Sequence, residues 1–149
     1  MKPKPTSQLP KTCIPRDIML QAAMIRLGDI DREIQSGYNI LRRFHKTVTI
    51  FGSARTPEHD KYYEAAVAVS QKLASKGYAI VSGGGWGIMS AANEGANIAV
   101  QKGAREAGGE SIAFNIKLPP EKTLKPYATE SYEVQNFAPR KKVMTLYAG

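Results

Sequence analysis

The sequence predicts a doubly wound α/β protein, in which a parallel sheet carries helices on both faces, preceded by an amphipathic helix. Short β-branched runs alternate with longer segments of helical periodicity after residue 46. Ahead of them, apolar residues recur at three- and four-residue spacing from Arg16 to Phe44, which is typical of an amphipathic helix. A run of glycines also stands between one predicted strand and the helix that follows it.

The alternation predicts three strands, each a short hydrophobic run closed by glycine, serine or proline. They are expected at 47–51, 78–82 and 111–116, and the helices at 16–44, 60–76, 87–103 and from Ala138 onward. Gly77 is the expected stop of the second helix. A glycine inside a helix costs about 1 kcal/mol relative to alanine, so any break in the first helix is expected at Gly37.

Composition divides the chain into three segments. Residues 1–15 contain four prolines and no periodicity, so we expect a disordered tail. Residues 16–46 form an N-terminal helical extension, and residues 47–149 form the α/β domain. The net charge is +8, and the first 46 residues hold nine Lys or Arg against four Asp or Glu. Because no basic run is interleaved with aromatic residues, we expect a solvated basic surface and no nucleic-acid partner.

The chain is expected to be cytoplasmic. It opens on a basic, proline-rich stretch without the apolar core of a signal peptide, and no apolar run is long enough to span a membrane. A single cysteine, Cys13, excludes an internal disulfide framework and fits a reducing compartment.

The stretch VSGGGWGIMSAANEGA, residues 81–96, predicts a phosphate or nucleotide site. Four glycines in five positions let the backbone approach a ligand closely, and the following helix offers its N–H groups to an anion; these are Gly83, Gly84, Gly85 and Gly87. A tight strand–helix corner is the alternative. No Gly-Lys-Ser/Thr follows, which excludes a Walker loop, and Ser90 stands where the dinucleotide fingerprint needs its third glycine.

Four blocks in order carry a resemblance to a known family: VTIFGSART, GYAIVSGGGWGIMSAANEGA, GGESIAFNIKLPPE and FAPRKKVM. From about Thr47 to Met144 the chain resembles the LOG family of nucleoside 5′-monophosphate phosphoribohydrolases, long mislabelled as lysine decarboxylases. The resemblance implies a Rossmann-like sheet and a homodimer or larger assembly. It also implies hydrolysis of AMP or a cytokinin riboside monophosphate to the free base and ribose 5-phosphate. We expect no cofactor and no metal site, since His45 and His59 have no partner at the spacing of metal ligands.

The sequence departs from the family pattern at three points. Trp86 stands where proline is common and Ala113 where glycine is common, and both would narrow the pocket. The second glycine motif of the family, Pro-Gly-Gly-x-Gly-Thr followed by the catalytic glutamate, is absent from the sequence, which stops just before it would begin. We therefore expect residues 47–149 to be an incomplete nucleotide-binding domain and this chain to be an inactive fragment.

The resemblance places an arginine in the catalytic machinery, and Arg140 stands at that position. The expected substrate-binding residues are Gly52, Ser53, Arg55, Gly83, Gly84, Gly85, Gly87, Met89, Asn93 and Lys141. Simpler roles remain open for several of them. Arg140 is compatible with a surface charge, Ser53 and Arg55 with loop capping, and Asn93 with a structural role.

A second class of function also fits these residues. Relatives of this fold, such as molybdenum-cofactor carrier proteins, bind their ligand without hydrolysing it. A nucleotide or cofactor carrier of that type would keep the glycine loop and dispense with the glutamate.

Overall fold

A computed structural model describes residues 14–101, 109–117 and 127–146. Its elements are α1 (Arg16–Leu41), β1 (Thr47–Thr49), α2 (Lys61–Ala74), β2 (Ala79–Ser82), α3 (Ile88–Gln101), β3 (Ser111–Ile116), β4 (Glu130–Val134) and α4 (Phe137–Leu146). The strands form one parallel sheet in the order β1-β2-β3-β4. The predicted α/β fold with a preceding helix is confirmed. The predicted tail lies outside the described residues except for its last two positions.

The three-strand prediction was wrong, because β4 adds a fourth strand beside β3. Its register runs from Ile112 paired with Glu130 to Ile116 paired with Val134. Within β4 only Val134 is buried, and the strand reads Glu-Ser-Tyr-Glu-Val. Such an outer strand lacks the continuous apolar run by which a buried parallel strand is recognised in a sequence.

Two apolar layers enclose the sheet, one on each face. On one face, Ala79 and Val81 of β2 pack with Leu41 of α1 and with Val143 and Met144 of α4. On the other face, Ile80 packs with a second cluster, whose alanines are Ala74, Ala92, Ala96 and Ala99 of α2 and α3. The alternation of side chains along β2 thus divides the core between the two helix pairs.

The first helix is continuous through Gly37, where the sequence indicated a possible break. A Cβ atom on Gly37 would lie 2.7 Å from a methyl carbon of Val143, so this glycine allows α1 to cross α4 closely. The packed half of α1 begins near Asp29, and every residue from Ile14 to Gly28 is exposed. Among the described residues, no helix combines the length and apolar character needed to cross a membrane.

Glycines also shape the second helix pair. Gly77 ends α2 as predicted, with a φ of 83° and its N–H donated to Ala74 O at 2.9 Å. A Cβ atom on Gly95 of α3 would lie 2.2 Å from Val67 O of α2. The small residues of α3 therefore make two kinds of close contact: Gly95 packs against α2, and the alanines pack against the sheet.

Candidate functional site

The glycine loop, residues 83–87, leaves the carboxyl end of β2 and enters α3. Gly84 and Gly87 have φ values of 69° and 62°, in the left-handed region that side chains rarely adopt. Gly83, Gly84 and Gly87 are buried. The glycines here allow a backbone conformation that other residues would adopt only with strain. The loop lies at the carboxyl ends of the strands, where α/β proteins bind ligands.

Arg140 of α4 lies against this loop. Its Nε donates to Phe114 O at 2.7 Å, and its Nη2 donates to Gly83 O at 2.9 Å. The guanidinium carbon also lies 5.6 Å from the centre of the Phe137 ring. A Cβ atom on Gly83 would lie 2.1 Å from Nη2, so the glycine makes room for the arginine. Arg140 is thus a half-buried positive charge that joins the carboxyl ends of β2 and β3.

Asn115, near the end of β3, was missed by the sequence analysis. With its amide nitrogen toward the loop, it donates to Gly83 O at 3.0 Å and Gly84 O at 3.2 Å. A polar residue near the carboxyl end of an otherwise apolar strand is the signal that could have identified it. Asn115 and Arg140 together fix the carbonyl groups at the start of the loop.

Asn93 lies beneath the loop. It is 3% exposed, and its Oδ1 accepts hydrogen bonds from Ser82 Oγ at 2.8 Å and Ser111 Oγ at 3.0 Å. Ser82 Oγ in turn accepts the N–H of Gly84 at 3.0 Å. This chain of hydrogen bonds ties α3, β2 and β3 to the loop, so the structure favours the structural role for Asn93.

The loop after β1 adjoins the glycine loop, as the parallel order of the two strands predicts. Ser53 O accepts the N–H of Ile88 at 3.0 Å, and a Cβ atom on Gly87 would lie 2.2 Å from that same oxygen. A Cβ atom on Gly52 would lie 2.3 Å from Ile88 Cβ. The two loops therefore lie side by side at the carboxyl ends of β1 and β2, and only glycine fits at these contacts.

The remaining predicted residues differ in placement. Met89 packs against Gly83, where a Cβ atom would lie 2.6 Å from its sulfur, and this sulfur is 3.9 Å from Arg140 Nη2. Ser53 Oγ accepts the N–H of Arg55 at 3.1 Å, which is the loop-capping geometry. Arg55 and Lys141 are exposed at the surface.

The loop presents backbone donors beside the positive charge of Arg140. Two amides are already used, since the Gly84 N–H is donated to Ser82 and the Ile88 N–H to Ser53. Within the described parts of the chain, the N–H groups of Gly85 and Gly87 have no hydrogen-bond acceptor. Amides of this kind at a helix N-terminus are suited to an anion such as a phosphate.

Behind the loop, a partly buried hydrogen bond joins the two helices that follow the two loops. Tyr63 of α2 is 4% exposed, and its hydroxyl donates to Glu94 Oε2 of α3 at 2.7 Å. Burial first, and then the hydrogen bond to Glu94, raises the pKa of Tyr63 to about 12. This tyrosine is therefore held in its neutral, donating form.

Fold and site together define a Rossmann-like α/β protein with a glycine-rich loop at the carboxyl end of its second strand. The chain belongs to the SLOG cluster 4 family, whose profile matches residues 45–122, just over half of its length. The resemblance to the LOG family is confirmed at the level of the LOG-like Rossmann superfamily.

One solved structure extends the match beyond the profile. The X-ray structure of TM1055 is similar to this chain with 25% sequence identity and a TM-score of 0.51. The similarity covers 69% of this chain and 56% of that one, so the chain spans little more than half the length of that protein. The comparison with curated proteins gave no match.

Proposed function

We propose that the glycine loop binds the phosphate of a nucleoside 5′-monophosphate. The observation that carries this proposal is the loop itself. Gly84 and Gly87 are left-handed, the amides of Gly85 and Gly87 have no acceptor among the described residues, and Arg140 lies against the first carbonyl of the loop. A phosphate would receive hydrogen bonds from the amides and long-range attraction from the guanidinium. Membership of a LOG-like family supports a nucleotide as the ligand.

The finer proposal is hydrolysis of the N-glycosidic bond to a free base and ribose 5-phosphate. The sugar passes through an oxocarbenium-like state, which a carboxylate near the anomeric carbon stabilises. Arg140 would orient the nucleotide through its phosphate. The sequence lacks the Pro-Gly-Gly-x-Gly-Thr motif and its glutamate. We therefore propose that residues 1–149 bind the nucleotide without turning it over.

The chain carries its own reporter for this proposal. Trp86 is the only tryptophan, lies inside the glycine loop and is 52% exposed. Its fluorescence should change on titration with AMP and with ribose 5-phosphate, and much less with adenosine, which lacks the phosphate. Equal responses to AMP and adenosine would contradict phosphate recognition by this loop.

Turnover is tested separately, by incubating the protein with AMP and following free adenine. Release of adenine at enzymatic rates would overturn the proposal that this chain only binds. Tight AMP binding without turnover, found also in a LOG-like relative that has the glutamate, would favour the carrier function.

We also propose that the protein assembles as a homo-oligomer, through the exposed half of α1. Its apolar side chains are 50–70% exposed: Ile18, Met19, Leu20, Met24, Ile25 and Leu27. A helix that is apolar on most sides is normally buried, and a second copy of the same helix offers a matching surface. Light scattering should give a mass above the 16.3 kDa of one chain. Replacing Met24 and Leu27 by glutamate should restore the monomer mass.

A further inference from the structure

The first helix contacts the start of α4 through a single carboxylate. Glu33 of α1 accepts the N–H of Gln135 at 2.7 Å and the N–H of Asn136 at 3.3 Å. The Asn136 side chain adds a third hydrogen bond to the same carboxylate at 3.2 Å. These two residues immediately precede α4, which begins at Phe137.

A carboxylate at this place stabilises a helix N-terminus in two ways. It satisfies backbone N–H groups at the helix entry, and its negative charge complements the positive end of the helix dipole. The first turn of α4 contains no acidic residue of its own. Glu33 supplies the charge from a helix more than 100 residues earlier in the sequence.

A second contact between the same helices lies one turn further along α1. Gly37 packs against Val143 so closely that a Cβ atom would lie 2.7 Å and 2.9 Å from its two methyl carbons. On α4, Arg140 lies between the two contacts, four residues after Asn136 and three before Val143. Two contacts on either side of one residue restrict both sliding and rotation of the helix that carries it.

The hydrogen bonds of Arg140 require that α4 neither slides nor rotates. Its guanidinium reaches Phe114 O at 2.7 Å and Gly83 O at 2.9 Å, and both hydrogen bonds depend on the distance and the angle of α4. A small rotation of α4 would withdraw the charge from the glycine loop.

We propose that Glu33 is a positioning residue for the nucleotide site and acts through Arg140. This inference rests on the proposed function for its effect on ligand binding, whereas the coupling of Glu33 to Arg140 is a property of the free protein. The N-terminal helix is then a functional part of the site, although all of α1 lies before residue 45, where the match to the family profile begins.

The test is a double-mutant cycle on AMP affinity, measured by Trp86 fluorescence at a temperature where every variant is folded. E33A should weaken AMP binding about five- to ten-fold in the wild-type background. In the R140A background the same substitution should change affinity less than about two-fold, because its target is gone. E33Q, which keeps an acceptor oxygen and loses the charge, should fall between E33A and wild type, and it replaces E33A if that variant does not fold.

The matched control is D31A, which removes an exposed carboxylate of α1 whose hydrogen bond comes from Gln35 of the same helix. It should leave AMP affinity unchanged. Equal losses from E33A in both backgrounds, or a lower free energy of unfolding with unchanged affinity, would overturn the positioning role.

A second readout separates this inference from the proposed function. The NMR signal of the Arg140 Nε–H, bonded to Phe114 O, should be protected from solvent exchange in the wild type and in D31A. E33A should lose that protection. If wild-type protein does not bind AMP, the proposed function fails and this signal decides alone: unchanged protection in E33A would overturn the positioning role.

Discussion

The two loops at the carboxyl edge of the sheet are built in opposite ways. The glycine loop is mostly buried and is held by side chains from three other positions, Ser82, Asn115 and Arg140. The loop after β1 is exposed from Phe51 to Arg55, and within the described parts of the chain its backbone hydrogen bond to the start of α3 is the one from the Ile88 N–H to Ser53 O. Both loops contain glycine at the point where they touch, and they share little else.

The glycine loop is therefore the preformed one of the two. A backbone held by several hydrogen bonds, each buried or partly buried, keeps its donors in place before any ligand arrives, which lowers the ordering cost of binding. An exposed loop is freer to adjust around a ligand. We therefore assign phosphate binding to the glycine loop, and contacts that vary with the ligand to the loop after β1.

The largest effect is expected where the two loops touch. Gly87→Ala should lower the free energy of unfolding by about 2–4 kcal/mol, because φ is 62° and the added carbon would overlap the Ser53 carbonyl oxygen. Urea denaturation measures this change. The control is Gly28→Ala in the exposed part of α1, which should be neutral or stabilising, since nothing lies within 4 Å. Similar unfolding curves for the two variants would contradict the described contact.

The next effect concerns the support of the glycine loop. Arg140→Ala removes two hydrogen bonds from a charged group, each of which contributes about 1.5–3 kcal/mol. The substitution should weaken AMP binding about ten-fold or more. Arg140→Lys should rescue little, because an ammonium group cannot reproduce the planar fork. Lys142→Ala, two residues along the same helix and exposed, should bind AMP normally in the same titration.

A pH effect is expected at the hydrogen bond that joins the helices behind the loops. The pKa of Tyr63 is raised from 10.0 to about 12 in the folded protein, so its contribution is complete below pH 10 and is lost as pH rises toward 12. The free energy of unfolding of Tyr63→Phe should therefore fall less between pH 10 and pH 12 than that of the wild type. Tyr62→Phe, at a position 64% exposed, should follow the wild-type curve. Parallel curves of stability against pH for wild type and Tyr63→Phe above pH 10 would count against the hydrogen bond to Glu94.

The smallest effect is expected from a serine in the loop after β1, and it is compared with the same substitution at Ser82, the last residue of β2 before the glycine loop. Ser53→Ala removes one exposed hydrogen bond and should change stability by less than about 0.5 kcal/mol. Ser82→Ala leaves Asn93 and the Gly84 amide short of a partner and should cost about 1–3 kcal/mol. Equal values in thermal denaturation would remove the contrast between the loops.

The sequence predicted those parts of the fold that depend on residues close together in the chain. Strand and helix periods, the glycine stop at Gly77 and the glycine run between β2 and α3 all depend on neighbouring residues. The outer strand β4 escaped detection because only Val134 in it is buried, so its pattern resembles a loop. Pairing with β3 supplies its structure, and pairing partners are not visible along the chain.

The same distinction holds for the site. The glycines were identified from composition, and their neighbourhood with Ser53 followed from the parallel order of β1 and β2. Asn115 and Glu33 were missed because each acts on residues distant in sequence. Asn93 was expected to bind the ligand, with a structural role left open, and its hydrogen bonds come from two serines on separate strands. Long-range hydrogen bonds have no local signature from which they could be read.

Binding of a nucleotide phosphate by the glycine loop can be tested by an NMR titration of the backbone amides with AMP. The signals of Gly85 and Gly87 should shift most, the Arg140 Nε–H signal should shift with them, and ribose 5-phosphate should reproduce these shifts. Saturating AMP that leaves Gly83–Gly87 unshifted, or that shifts only signals elsewhere on the protein, would contradict phosphate binding by the glycine loop.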